Sequence, residues 1–120
     1  MAKNNKKILI VEDDEDFLFI LEKMFTSAGF SVATAKDGEA GIEAAKTENP
    51  DLILSDVLMP RMDGPAMAEK ILELKLPAPI VFLTNVENTD KKNEKFDYLI
   101  KSKLHLDEIV EAIKKKLKVN

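Results

Sequence analysis

Three stretches of this chain are unbroken apolar runs, and each stops abruptly at a polar or charged residue. Ile8-Leu9-Ile10-Val11 stops at Glu12-Asp13, Leu52-Ile53-Leu54 runs on to Asp56, and Ile80-Val81-Phe82-Leu83 stops at Thr84. Short apolar runs bounded by turn residues predict strands covered on both faces. Two shorter runs with polar interruptions, 31–35 and 97–100, predict edge strands. Between the runs the period changes to that of a helix. Phe17, Leu18, Ile20, Leu21, Met24, Phe25 and Ala28 recur at helical spacing, with acidic residues in the first turn and Gly29 as a stop. A second helix is predicted from about Glu39 to Glu48, with Ala40, Ile42, Ala44 and Ala45 as its apolar content and Asn49-Pro50 as its end. A third runs from about Pro65 to Leu74, with Met67, Ala68, Ile71 and Leu72 able to face a sheet. The last runs from about Leu106 to Lys118, striped by Leu106, Ile109, Val110, Ile113 and Leu117.

Alternating strands and helices imply a parallel sheet with helices on both faces. With the apolar strands central, the pattern predicts a flavodoxin-like doubly wound α/β fold with five parallel strands in the order 2-1-3-4-5. One segment departs from the pattern. Residues 85–95 read NVENTDKKNEK, with Val86 as their single apolar residue. A helix there has almost nothing to bury, so a short or disordered fourth helix is expected.

At 120 residues the chain is expected to form one domain, 7–120, behind a basic lead-in of residues 1–6, and no effector domain is expected. A net charge of −4 argues against a direct nucleic-acid surface. Without cysteine there are no disulfides and no thiolate chemistry, and the lone His105 leaves little scope for zinc or a histidine-based triad. The absence of a long apolar run or signal region points to a cytoplasmic protein without membrane contact.

In the expected strand order, Glu12-Asp13, Asp56, Thr84 and Lys101 fall at strand ends along one rim. Open α/β sheets bind their ligands there. Three close carboxylates repel one another unless a cation joins them, and Mg²⁺ suits such an oxygen-rich set. An aspartate beside that ion can act as a nucleophile toward phosphorus. The ion and Lys101 would neutralise a transferring phosphoryl group, and Thr84 could donate a hydrogen bond to it.

Taken together, ILIVEDD, LILSDVLMPRMDG, IVFLTN and DYLIK, in this order and each at a strand end, resemble the receiver domains of two-component response regulators from about Lys7 to Leu117. The resemblance implies that Asp56 is the phosphoacceptor, with a histidine kinase or a histidine phosphotransfer protein as donor. It further implies that Asp13, Asp56 and the backbone oxygen of Leu58 ligate Mg²⁺ and that Glu12 holds a metal-bound water. Thr84 and Lys101 would contact the phosphoryl group, and Tyr98 would follow Thr84 in a switch. Output would run through contacts with a downstream protein, as monomer or transient dimer. Such a domain takes part in its own phosphorylation without being a conventional enzyme.

Three departures from the family pattern carry expectations of their own. Thr84 and Lys101 stand closer in sequence than is usual. Ser102 replaces the proline that commonly follows the lysine, so a trans Lys101–Ser102 bond is expected. Leu58 and Val86, two past the acceptor and the threonine, cannot orient a water, so slow autodephosphorylation is expected. The main alternative is a pseudo-receiver, an interaction module that works without phosphorylation. A magnesium-dependent phosphatase would want a second aspartate at 58, and a flavin or nucleotide binder a phosphate-cradling glycine loop; this sequence has neither.

Overall fold

The computed structural model describes residues 3–85 and 95–119. Five parallel strands, β1 (Lys7–Val11), β2 (Ser31–Ala35), β3 (Leu52–Asp56), β4 (Ile80–Thr84) and β5 (Asp97–Ile100), form one sheet in the order β2-β1-β3-β4-β5. The helices are α1 (Glu15–Ser27), α2 (Gly38–Glu48), α3 (Gly64–Glu73) and α4 (Leu106–Leu117). The apolar strands are central and the two interrupted ones are the edges, as the pattern predicts. The expected short or disordered helix between β4 and β5 falls on 86–94, outside the described residues.

The pleat divides the core in two. Ile8, Ile10, Leu52, Leu54, Val81 and Leu83 face α1 and α4, where Leu18, Leu21, Phe25, Ile109 and Ile113 meet them. Leu9, Val11, Ile53, Ile80 and Phe82 face α2 and α3, where Ala45, Met67, Ala68 and Ile71 meet them. Alternate residues of each central strand therefore serve opposite layers, which is why their buried positions are apolar up to Ser55 and Thr84 near the strand ends.

Some helix faces differ from the sequence expectation. In α2 the buried positions are Gly38, Gly41 and Ala45, while Ala40 is exposed. A Cβ at Gly41 would lie 2.6 Å from Met67 Sδ, so the missing side chain lets α2 and α3 close together. Ile20 and Leu72 are exposed rather than inward, as is Leu106 at the start of α4. An aspartate caps each of the first three helices, and α2 and α3 each start one residue before the expected Glu39 and Pro65. Asp14 accepts from the N–H groups of Asp16 (3.0 Å) and Phe17 (3.2 Å), Asp37 from Ala40 (2.8 Å), and Asp63 from Ala66 (2.8 Å). Gly29, at φ 99°, lets the chain leave α1 in the left-handed conformation expected of a stop.

No peptide bond among the described residues is cis, so Lys101–Ser102 is trans, as expected. Residues Lys101–Lys103 form one 3₁₀ turn before α4. No helix among the described residues is long and apolar enough to cross a membrane.

Candidate functional site

Parallel strands bring all their C-terminal ends to one rim, and α1, α2 and α3 begin from that rim. Glu12 prolongs β1, its N–H donating to the Ala35 carbonyl at 3.0 Å. By the two-residue alternation it continues the side of Ile8 and Ile10, and it is only 2% exposed; Asp13, one residue on, is exposed. The chain then turns into α1. Here the Asp14 N–H donates to Glu12 Oε2 at 3.1 Å while the Asp14 carboxylate caps the helix.

Asp56 ends β3 opposite Leu83. Its Oδ1 accepts from the Val57 N–H at 2.8 Å, and its carbonyl accepts from the Ser55 hydroxyl at 2.8 Å. The Gly64 N–H donates to the Val57 carbonyl at 2.8 Å, which closes the loop behind the acid. Lys101, entering the turn after β5, reaches across the rim. Its ammonium lies 3.3 Å from Glu12 Oε1 and 3.7 Å from Asp56 Oδ2. The second distance is an ion pair rather than a hydrogen bond.

Glu12, Asp13 and Asp56 each offer a carboxylate oxygen, all within 4.8 Å of one another. Burial pushes the Glu12 carboxyl up to about 7 from its ordinary 4.5, and the Asp56 charge adds to this. The Asp14 N–H and the Lys101 ammonium oppose it. Burial, more than its charged neighbours, thus disfavours the ionised form of Glu12. The set fits a hard divalent cation: the donors are all carboxylate oxygens, and two of the three are wholly or partly withdrawn from water.

Thr84 is buried at the end of β4, one residue beyond the Leu83 that pairs with Asp56. Leu58 follows Asp56 by two residues, its side chain 67% exposed. Tyr98 is half-buried on β5, its ring 5.2 Å from that of Phe82, and so sits on the α2–α3 side of the sheet. The structure thus gathers Glu12, Asp13, Asp56 and Lys101 directly and sets Thr84 on the neighbouring strand end. His105 lies apart, at the start of α4, where its N–H donates to the Glu108 carboxylate at 2.9 Å.

Three residues at the site have roles that the pattern of the chain did not suggest. Asp14 reads from sequence as a dipole-favoured start, yet it links the buried acid to the helix. Gly64 reads as a turn residue, yet a Cβ there would sit 2.3 Å from the Asp56 carbonyl oxygen and 2.8 Å from the Phe82 ring. Phe17 reads as part of the helix's core face, yet its ring lies under the Lys101 ammonium, 4.6 Å from centroid to nitrogen. An aspartate before a helix is a cap signal that sequence can supply; the other two contacts are set by packing.

A family model described as response regulator receiver domain matches residues 8–114. The alkaline phosphatase synthesis transcriptional regulatory protein PhoP of Bacillus subtilis is 38% identical over 104 residues, covering 87% of this chain and 41% of that protein. The DNA-binding transcriptional regulator NtrC of Klebsiella pneumoniae is 34% identical over 109 residues, covering 87% and 23%. The chain thus spans less than half the length of these relatives. Among solved structures, the response regulator protein TrrA of Thermotoga maritima, in complex with Mg(2+)-BeF, superposes with a TM-score of 0.82 at 30% identity, covering 92% of this chain and 97% of that one. The order of the strands, the acidic rim and these matches agree, and the chain belongs to the receiver domains of two-component response regulators.

Proposed function

We propose that Asp56 is the phosphoacceptor of this receiver and that its phosphorylation requires Mg²⁺ held by Asp13, Asp56 and the Leu58 backbone oxygen, with Glu12 holding a metal-bound water. The observation that carries this is the convergence of three carboxylates and one ammonium at the ends of β1, β3 and β5. When bound, the ion would neutralise charge on the phosphoryl oxygens.

The chain's own groups do the rest. The Val57 N–H occupies Oδ1 of Asp56 and fixes the carboxylate plane, which leaves Oδ2 turned toward Lys101 as the attacking atom. As the bond from Oδ2 to phosphorus forms, the phosphorus–nitrogen bond of a donor phosphohistidine breaks. The electron pair then stays on the departing imidazole. Lys101, 3.7 Å from Oδ2, is within reach of an equatorial oxygen, and the Thr84 hydroxyl would donate to another. Tyr98 would turn with Thr84 and pass the change to the β5 edge, where a downstream protein reads it. A histidine kinase or phosphotransfer protein is the donor in this scheme.

The test is intact-mass measurement after incubation with acetyl phosphate, with Mg²⁺ and with chelator. The wild type should gain one phosphoryl group only with Mg²⁺, and Asp56→Asn should gain none. A wild type that stays unmodified with acetyl phosphate and with phosphohistidine donors would instead support an interaction module working without phosphate.

A further inference from the structure

We propose that Phe17 is a positioning residue for Lys101: its ring holds the ammonium over the acidic rim in the unphosphorylated protein and keeps it aimed at Asp56. This rests on the assignment of Lys101 to the phosphoryl group above. Lys101 comes from the turn after β5, at the edge of the sheet, and must extend across β4 to reach acids on β3 and β1. A four-carbon side chain has many rotamers, and nothing in the order of strands selects the extended one. Three contacts of the ammonium select it: Glu12 Oε1 at 3.3 Å, Asp56 Oδ2 at 3.7 Å, and the Phe17 ring, its centroid 4.6 Å away.

The ring itself is fixed by the chain around it. The Phe17 N–H donates to the Asp14 cap at 3.2 Å, so the helix start sets where its side chain emerges. The half-buried ring packs against the core beneath α1 and carries the ammonium of Lys101, whose side chain is only 19% exposed. A ring face attracts a cation through its quadrupole without taking up a particular N–H. An ammonium has three N–H donors, and one is directed at Glu12. The aromatic wall therefore restrains the nitrogen while leaving N–H groups for the oxygens of an incoming phosphoryl group. Unlike the two carboxylates, the ring restrains Lys101 without competing with that group for its N–H donors.

The experiment compares wild type, Phe17→Leu and Phe17→Tyr by proton NMR and by phosphorylation with acetyl phosphate in Mg²⁺. In wild type the Lys101 methylene protons next to the nitrogen should be shifted upfield by the ring current. The shift should vanish in Phe17→Leu and persist in Phe17→Tyr. The phosphorylation rate of Phe17→Leu should fall by roughly three- to thirty-fold, the size of a partly desolvated cation–ring contact, and Phe17→Tyr should restore it. Unshifted lysine protons in wild type would overturn the proposal with no variant needed, which covers a Phe17→Leu that fails to fold. So would a folded Phe17→Leu that is phosphorylated at the wild-type rate. A wild type with the upfield shift but no phosphorylation would leave the ring contact standing and remove the phosphoacceptor assignment instead.

Discussion

Gly64 and Asp56 touch through backbone: a Cβ at Gly64 would lie 2.3 Å from the Asp56 carbonyl oxygen, nearer than two such atoms can approach. The start of α3 is therefore pressed against the main chain of the acid. Gly64→Ala forces either the helix or the end of β3 to move. We expect a loss of about 1–3 kcal/mol in stability, the usual range for overpacking, together with slower phosphorylation. Denaturant melts and intact mass measure the two, and an alanine variant with unchanged stability would show that the contact yields freely.

Asp63, one residue earlier, separates the helix from the chemistry. Its carboxylate caps α3 through Ala66 N–H at 2.8 Å and belongs to no acidic cluster among the described residues. Asp63→Ala should cost about 1 kcal/mol. Phosphorylation of Asp56 should continue at the wild-type rate. Denaturant melts with phosphorylation measured well below the midpoint decide this.

Glu12 sets how stability should vary with pH in the absence of divalent ions. Its carboxyl titrates near 7 in the folded chain, raised chiefly by burial, against an ordinary 4.5. The folded state binds this proton more tightly than the unfolded state. Its stabilising contribution is complete below about 4.5 and is lost as pH rises through about 7. Thermal melts from pH 4.5 to 8 should show this decline in wild type and less of it in Glu12→Gln. Adding Mg²⁺ at neutral pH should raise the melting temperature of wild type by binding the folded form alone. Asp13→Asn should weaken that rise.

Leu58 governs the lifetime of the product in our scheme. Its side chain is 67% exposed, two residues past the acceptor, and offers no hydrogen bond to a water. Leu58→Asn should speed the loss of the acyl phosphate several-fold, and Leu58→Ala should not. Decay of the phosphorylated mass after removal of donor follows both.

The fold was legible because the three central strands are written without interruption. Ile8–Val11, Leu52–Leu54 and Ile80–Leu83 leave no polar residue to face water, so only a sheet covered on both sides accepts them. The acids were legible because they end those runs. Contacts between elements were not. Gly41 under Met67, Gly64 against Asp56 and Phe17 under Lys101 depend on how closely two helices and a strand approach. A single-residue pattern carries no record of that distance. The exposure of Ile20 and Leu72 shows the same gap, since helical spacing places a residue on a face but does not say how wide the covered part is.

β1 ends at Val11, and Asp14 caps α1 three residues later. Glu12 and Asp13 are thus strung between two fixed pegs, one acid dipping into the protein and the next lifted out of it. Deleting Glu12 would put an aspartate below and the helix cap above, and inserting a residue ahead of Glu12 would lift Glu12 out of the buried place. This short acidic link should tolerate a change of side chain more readily than a change of length.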